Sequence, residues 1–156
     1  MLGPIVRWED VHGRPVQEGG LDTVLFNLGA AAGTVQIGLR RERIAAGKRG
    51  LPAHVHTAEG EEFFVVLDGE GVCLLQATGK GDWEPEEHPL RGGTLGSLPA
   101  GTGVTHAFRA GPSGLTYLAY GTRRPDDLRW YPCSRKVWFT GLGVIGRLDP
   151  LHHWDG

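Results

Sequence analysis

Short apolar segments separated by glycine-rich turns run along the whole chain. These segments are rich in Val, Leu, Phe, Thr and Tyr, the residue types that favour β-strands. The 156 residues include 26 glycines and ten prolines, which leaves little room for long helices. Many short strands at this spacing are typical of a sandwich or a barrel. The pattern therefore predicts an all-β fold.

The apolar segments predict the strands, and clusters of glycine, proline and aspartate predict the turns between them. One acidic stretch, residues 82–87, is predicted to be an exposed loop because Pro85 and Pro89 lie in it and just after it. The predicted strands are Thr23–Leu28, Thr34–Ile44, Ala53–His56, Glu62–Leu67, Gly71–Ala77, Thr94–Leu98, Val104–Phe108, Leu115–Tyr120, Leu128–Tyr131, Lys136–Phe139 and Val144–Leu148.

The predicted strand that begins at Glu62 is apolar on both faces. Phe64 and Val66 share one face with Glu62, while Phe63 and Leu67 lie on the other. A strand with one exposed face would alternate polar and apolar residues. We therefore expect the second face to be covered by another sheet, by the apolar C-terminal segment or by a second subunit. This expectation leads us to predict a homodimer.

Two histidines and a glutamate lie close together in the sequence, and a third histidine lies far downstream. His54 and His56 are separated by one residue, so both point to the same face of a strand. Glu62 opens the next predicted strand, and His106 lies in a strand that would cross close by. Three imidazoles and a carboxylate that converge would bind one divalent transition metal ion. The candidates are Fe, Mn, Ni, Cu and Zn, and the sequence does not choose among them.

These residues stand in the order of two motifs of the cupin superfamily, which the chain resembles over about residues 34–120. The first motif is G-x5-H-x-H-x3,4-E-x6-G, and the residues in its order are Gly47, His54, His56, Glu62 and Gly69. The second motif is G-x5-P-x-G-x2-H-x3-N, and the residues in its order are Gly93, Pro99, Gly101 and His106.

The spacing departs from the motifs at several points. His54 is one residue too far from Gly47, four residues rather than two precede His106, and Ala110 replaces the final asparagine. Five residues separate the second histidine from Glu62, so strict spacing would select Glu61 as the carboxylate. We prefer Glu62 because it keeps the six-residue step to the glycine that closes the motif.

The resemblance to cupins implies a double-stranded β-helix, or jelly-roll barrel, in a single domain of residues 1–156. The barrel core would cover about residues 34–120, with N-terminal and C-terminal arms at 1–33 and 121–156. It also implies a metal-dependent enzyme of dioxygenase, isomerase or decarboxylase type that acts on a small polar molecule. Because this fold hosts unrelated functions, a non-catalytic barrel that binds a sugar or hydroxy acid, and a metal-free structural barrel, stay open as alternatives.

Strand parity predicts an apolar wall around the metal, because residues two apart share a face. Tyr117 and one of Arg41 or Arg43 are candidates to orient a polar or anionic ligand, with a barrel-rim tyrosine and an exposed arginine as the alternatives. Glu61 and Glu59 are candidates for a proton acceptor beside the metal, with a position on the turn surface as the alternative for both. The predicted wall consists of Phe64, Val66, Val104, Phe108 and Tyr117.

Composition argues against several classes of partner. The net charge is −2, and the basic cluster at residues 40–49 is interrupted by Glu42, so no nucleic acid is expected. No apolar run approaches the ~18 residues of a membrane span, and residues 1–7 become charged too soon for a secretory signal. We therefore expect a cytoplasmic protein with a small-molecule ligand. Cys73 and Cys133 are predicted to be buried, reduced thiols.

Overall fold

The computed structural model of the chain describes residues 5–57, 60–79, 81–149 and 154. Antiparallel strands dominate these residues, which confirms the predicted all-β class. The α-helix α1 (Leu28–Ala31) has four residues, and single 3-10 turns occupy Trp8–Asp10, Pro132–Ser134 and Thr140–Leu142. Within the described ranges, none of the helices is both long enough and apolar enough to cross a membrane. The strands are β1 (Arg14–Glu18), β2 (Leu21–Phe26), β3 (Ile37–Ile44), β4 (Val55–His56), β5 (Glu62–Ala77), β6 (Glu86–Arg91), β7 (Leu95–Leu98), β8 (Val104–Thr122), β9 (Leu128–Tyr131), β10 (Lys136–Phe139) and β11 (Val144–Arg147).

The strands form two sheets. The larger sheet has the order β1-β2-β3-β8-β5-β6, with β7 also paired to β5. The smaller sheet has the order β11-β10-β9-β4. The short strand β4 belongs to the smaller sheet, yet the residue just before it, His54, forms a β-bridge with His106 in the larger sheet. This bridge joins the two sheets beside the predicted metal site.

Two long strands replace four of the predicted short ones. The predicted turn at residues 68–71 lies inside β5, and the predicted turn at residues 111–114 lies inside β8. The pairing of β5 with β8 is irregular on either side of Gly69, which has a φ of +80°. A side chain on Gly69 would collide with the backbone of Gly114 on β8. The glycines that indicated turns therefore allow two long strands to bend while they stay paired.

Strands β1 and β6 were not predicted from the sequence. Strand β6 begins at Glu86, near the end of the acidic stretch, and contains Pro89, which argued for an exposed loop. It is an edge strand and pairs only with β5, so the missing N–H of Pro89 costs no hydrogen bond to a second neighbour. Strand β1 is also an edge strand. It carries mainly exposed residues, so it lacks the apolar pattern from which the other strands were predicted.

The larger sheet buries one face and leaves the other partly open. Phe64, Val66 and Tyr117 belong to the buried core on the inner face. On the outer face of β5, Phe63 and Leu67 remain 39% and 38% exposed. The C-terminal strands β10 and β11 extend the smaller sheet instead of covering this face, so the expected cover is not supplied by the described part of the C-terminal segment.

The two cysteines differ in their surroundings. Cys73 on β5 is buried in the core, as predicted. Cys133 is exposed, which corrects the prediction that both thiols are buried. It lies in the 3-10 turn Pro132–Ser134 between two short strands of the smaller sheet, where little chain is available to cover it.

Candidate metal site

The candidate site lies where the two sheets meet, and three separate elements position its side chains. Backbone hydrogen bonds join His54 and His106 in both directions, from N to O at 3.1 and 2.9 Å. His56 lies on β4, two residues further on, and Glu62 begins β5 after the intervening turn. Glu62 pairs with Gly121 on β8, where a Cβ atom would stand 2.9 Å from the glutamate Cγ. The absence of a side chain at Gly121 therefore makes room for the carboxylate.

Three of the four predicted ligands form one compact group. His54, Glu62 and His106 each place one ligand atom within 4.8 Å of the others. The Oε2 atom of Glu62 is central, since it lies 3.3 Å from Nε2 of His106 and 3.4 Å from Nε2 of His56. The three histidines are buried, with 3–9% of their surface exposed. The carboxylate in this group is that of Glu62, whereas Glu61 is exposed.

One ring nitrogen of His56 faces this group, and its other ring nitrogen faces a second carboxylate. Its Nδ1 atom lies 2.6 Å from Oδ2 of Asp127, a buried residue just before β9. In the neutral ring, an Nδ1–H that donates to Asp127 leaves the lone pair on Nε2. That Nε2 atom is buried and makes no hydrogen bond with any described residue. The arrangement leaves a ligand atom of His56 pointing toward the Glu62 carboxylate.

Asp127 was missed by sequence reasoning. It follows the pair Arg124 and Pro125 in a loop and resembles an ordinary turn aspartate, like the exposed Asp126 next to it. The β4–β9 pairing carries it to His56, 71 residues away along the chain. The only signal available in the sequence was its place directly before the predicted strand Leu128–Tyr131.

Burial and hydrogen bonding set the protonation of the site. Burial, together with the nearby His106, lowers the pKa of His54 well below its usual value, so this ring is neutral. Burial also disfavours the charged form of His56, but the hydrogen bond to Asp127 and the nearby Glu62 carboxylate outweigh it and raise the pKa of His56 to about 9. Burial acts to raise the pKa of Glu62, but the nearby rings of His106 and His56 outweigh it and hold that pKa well below its usual value. The carboxylate is therefore ionised.

This donor set fits a divalent transition metal ion. Neutral imidazole nitrogens and a carboxylate oxygen are ligands common to Fe, Mn, Ni, Cu and Zn. His54 bonds through Nδ1 to the carbonyl oxygen of Pro52 at 2.9 Å, which leaves its Nε2 available as a ligand. The Nε2 atom of His56 lies 3.4 Å from the central Glu62 oxygen and makes no hydrogen bond with any described residue, so it stands beside this group of three. The identity of the metal is not distinguished by these residues.

A cavity opens beside the candidate ligands. With its mouth it has a volume of about 340 Å³, and its wall includes Phe64, Phe108 and Tyr117 as well as His54, Glu62 and His106. Two other predicted wall residues lie elsewhere: Val66 is buried in the core behind the cavity wall, and Val104 is half-buried near the start of β8. Val66 shares the inner face with Phe64, and neither valine lines the cavity.

The arginine in the cavity is Arg40, not Arg41 or Arg43. Residues 40, 42 and 44 of β3 turn inward, whereas Arg41 stacks on the ring of Phe26 with 4.2 Å from its Cζ atom to the ring centroid. The apolar residues at positions 35, 37 and 39 had suggested that the odd-numbered residues of this strand, including Arg41 and Arg43, face inward. Ile37 is in fact 37% exposed, and the charged pair Arg40 and Glu42 occupies the interior. The predicted proton acceptor Glu59 lies outside the described residues.

Comparisons with known proteins identify the fold. Neither a family model nor a curated protein is matched by the sequence. A sugar phosphate isomerase of the cupin superfamily from Silicibacter pomeroyi superposes with a TM-score of 0.75 and 26% identity, over 96% of this chain and 98% of that chain. A protein from Acidithiobacillus ferrooxidans, provisionally assigned the same activity, gives a TM-score of 0.69 and 24% identity over 86% of this chain and 83% of that chain.

More distant structures share the fold at lower identity. The polyketide cyclase RemF from Streptomyces resistomycificus gives a TM-score of 0.60 and 22% identity, over 81% of this chain and 84% of that chain. The described strands, the two sheets and these superpositions agree on a jelly-roll barrel of the double-stranded β-helix type. The chain therefore has the jelly-roll fold of the cupin superfamily, whose structures it resembles.

Proposed function

We propose that the protein is a metal-dependent enzyme that acts on a small polar molecule, and that isomerisation is the reaction it catalyses. One divalent transition metal ion would be held by His54, His56, Glu62 and His106. The observation that carries the proposal is the buried cluster in which Oε2 of Glu62 lies 3.3 and 3.4 Å from two imidazole nitrogens. When bound, such an ion polarises a carbonyl or hydroxyl oxygen and makes a neighbouring proton more acidic.

The chain's own residues hold and shield the reacting molecule. Asp127 fixes the ring of His56, and the carbonyl of Pro52 fixes that of His54, so both Nε2 atoms keep their direction. Phe64 and Phe108, whose ring centroids lie 4.9 Å apart, form an apolar wall that keeps water from one side of the cavity. A low-polarity wall strengthens each polar contact made inside the cavity.

Isomerisation is favoured over the other reactions by the full-length similarity to the Silicibacter pomeroyi sugar phosphate isomerase. The proposal is tested by adding the metal-loaded protein to aldose and ketose phosphates in D₂O. Interconversion, or deuterium incorporation next to the carbonyl, followed by NMR supports it. A panel of these compounds that stays unchanged with fully loaded protein contradicts isomerisation.

The metal site itself is tested separately by metal analysis of protein purified without an affinity tag. We expect about one ion per chain, lost in His106→Ala and in Glu62→Ala. His88→Ala is the matched control, because the His88 side chain is 51% exposed on the edge strand β6. Wild-type protein that takes up no divalent ion contradicts the proposed function.

A second candidate function is a binding barrel without catalysis. Apart from the four candidate ligands, the titratable side chains that line the cavity among the described residues are Arg40 and Tyr117. Burial, followed by the nearby Glu42, raises the pKa of Tyr117 well above its usual value, so it is a poor base at neutral pH. Tight binding of a small polyol or hydroxy acid, with no turnover of any screened compound, would select this function.

We also propose a homodimer formed through the outer face of β5. Phe63 and Leu67 are more than one third exposed there, and the Phe63 ring packs at 5.2 Å from that of Tyr120 on β8. Leu95 on β7 is 67% exposed and adjoins the same face. Light scattering at micromolar concentration is expected to give a dimer, and Phe63→Glu a monomer. Leu142→Glu, at an exposed position in the 3-10 turn between β10 and β11, is the control that should leave the dimer intact.

A further inference from the structure

Arg40 is a charged side chain inside the barrel, beside the candidate metal ligands. It pairs with Ala119 on β8, which in turn pairs with Phe64 on β5, so the three residues form one row across the inner face. The next row contains Glu62 opposite Gly121. Arg40 therefore stands one row away from Glu62 on the inner face. Arg40 and Glu62 both line the cavity.

The charge of Arg40 is balanced within the barrel, but its donors are not all used. Its Nε atom lies 3.5 Å from Oε2 of Glu42, and this nitrogen makes no hydrogen bond with any described residue. Glu42 is fully buried and already accepts hydrogen bonds from the hydroxyls of Thr23 at 3.0 Å and Tyr117 at 2.7 Å. Glu42 thus supports the charge of Arg40 while its oxygens serve other donors. A guanidinium group has five N–H donors in a planar fork, which suits a carboxylate or a phosphate.

The charges around the cavity also favour an anion once a metal is bound. When the histidines are neutral, as metal ligands are, the carboxylates of Glu42, Glu62 and Asp127 exceed the arginines Arg40 and Arg129 by one negative charge. A divalent ion reverses this excess to one positive charge. In a buried site of low effective dielectric, an unbalanced charge favours a ligand of opposite sign.

We infer that Arg40 determines specificity by binding the oxyanion group, carboxylate or phosphate, of a small ligand whose other oxygens reach the metal. This inference rests on the proposed metal site and deepens it by naming the substrate class: small hydroxy or oxo compounds that carry an oxyanion group.

The test measures binding to Zn²⁺-loaded protein by calorimetry and by thermal shift, so that it does not depend on turnover. The probes are two pairs of compounds, and the two members of each pair differ mainly in charge. The first pair is glycolate and glycolamide, and the second is dihydroxyacetone phosphate and dihydroxyacetone. We expect the charged member of at least one pair to bind at least ten-fold more tightly than its neutral partner. The two pairs separate a carboxylate preference from a phosphate preference.

Arg40→Gln is expected to lose this discrimination while it still binds one Zn²⁺ per chain. Arg40→Lys keeps the positive charge but not the planar fork of donors, so it should retain a part of the discrimination. It replaces Arg40→Gln in the test if that variant does not fold. Arg43→Gln is the matched control, because Arg43 is exposed on the outer face of the same strand. It should bind both probe pairs like the wild type.

Three results would overturn the inference. They are equal affinity for charged and neutral probes in the loaded wild type, no binding of either charged probe at millimolar concentration, and undiminished discrimination in Arg40→Gln. None of these three results contradicts the proposed metal site. Failure of the wild type to bind metal instead contradicts the proposed function, so the two failures are distinguishable.

Discussion

The Nδ1 atom of His56 lies 2.6 Å from Oδ2 of Asp127, although 71 residues separate the two in the sequence. Both side chains are buried, and the pairing of β4 with β9 holds them together. The contact fixes which nitrogen of His56 faces Glu62. It therefore links the smaller sheet to the chemistry of the candidate site.

The first prediction concerns this contact. Asp127→Asn is expected to weaken metal binding about 10-fold to 100-fold, because the amide neither supports the basicity of His56 nor fixes its ring as firmly. Competition with a chromophoric chelator measures the affinity. Asp126→Asn is the control, since Asp126 is exposed and bonds only to Arg124 among the contacts that the structure gives it. Equal affinities for Asp127→Asn and the wild type would contradict the supporting role.

The second prediction is that the stability of the metal-free protein passes through a maximum near pH 6.5. The pKa of His56 rises from 6.5 to about 9 on folding. Its contribution to the free energy of unfolding is therefore complete below pH 6.5 and is lost as the pH rises through 9. The pKa of His54 falls on folding, so the free energy of unfolding is unaffected by His54 above pH 6.5 and decreases as the pH falls below it. The alkaline loss is roughly 3.5 kcal/mol at most, taking about 1.4 kcal/mol for each pKa unit.

Urea unfolding of chelator-treated protein between pH 5 and pH 10 measures this profile. Asp127→Asn removes a main cause of the raised His56 pKa, so its alkaline limb should be clearly flatter than that of the wild type. A wild-type free energy of unfolding that stays constant from pH 6.5 to 9 would argue against the hydrogen-bonded His56 cation.

The third prediction tests the bend in the long strands. Gly69→Ala should destabilise the protein by roughly 2–4 kcal/mol, because the new methyl group meets only backbone atoms of Gly114 and Leu115, which cannot rotate away. Gly93→Ala is the control, since Gly93 has a similar positive φ of +86° but no atom within 4 Å of an added Cβ. It should cost about 1 kcal/mol from backbone strain alone. Equal losses in denaturant unfolding would rule out the steric part of the effect.

The fourth prediction concerns the thiols. Burial raises the pKa of Cys73 to about 12, so that thiol is protonated and shielded at pH 8. Cys133 is exposed and should react with a disulfide reagent such as Ellman's reagent. We expect one reactive thiol per chain in the native protein and two in guanidinium chloride. Cys133→Ser should abolish the reaction of the native protein, and a reactive native Cys73 would show that the β5 core opens readily.

Local pattern predicted much of the fold. Strands β9 and β10 have the bounds that the sequence predicts, because turns rich in glycine or proline isolate short apolar runs there. The pattern failed for β6, where an edge position tolerates Pro89 and charged residues. It also divided β5 and β8, because a glycine that bends a paired strand looks the same in sequence as one that ends it.

Four candidate ligands were predicted from the sequence because their spacing is local: an alternating histidine pair, a glutamate at a strand start and a histidine in a glycine-framed segment. The facing of β3 was predicted wrongly, and Arg40 was missed. Its inward position depends on the row that it shares with Ala119 and Phe64. A buried arginine is stable there only because Glu42 balances its charge.

The sequence by itself determined the all-β class, the cupin motifs and the residue types able to bind a metal, since these depend on strand periodicity and on glycine at tight positions. Only the tertiary structure decided that Asp127 supports His56 and that Arg40 enters the cavity. Both contacts depend on strand register and on how the two sheets meet. Residues far apart in the chain become neighbours only when the two sheets pack together. The periodicity within one strand carries no information about which residue of the other sheet will be in contact.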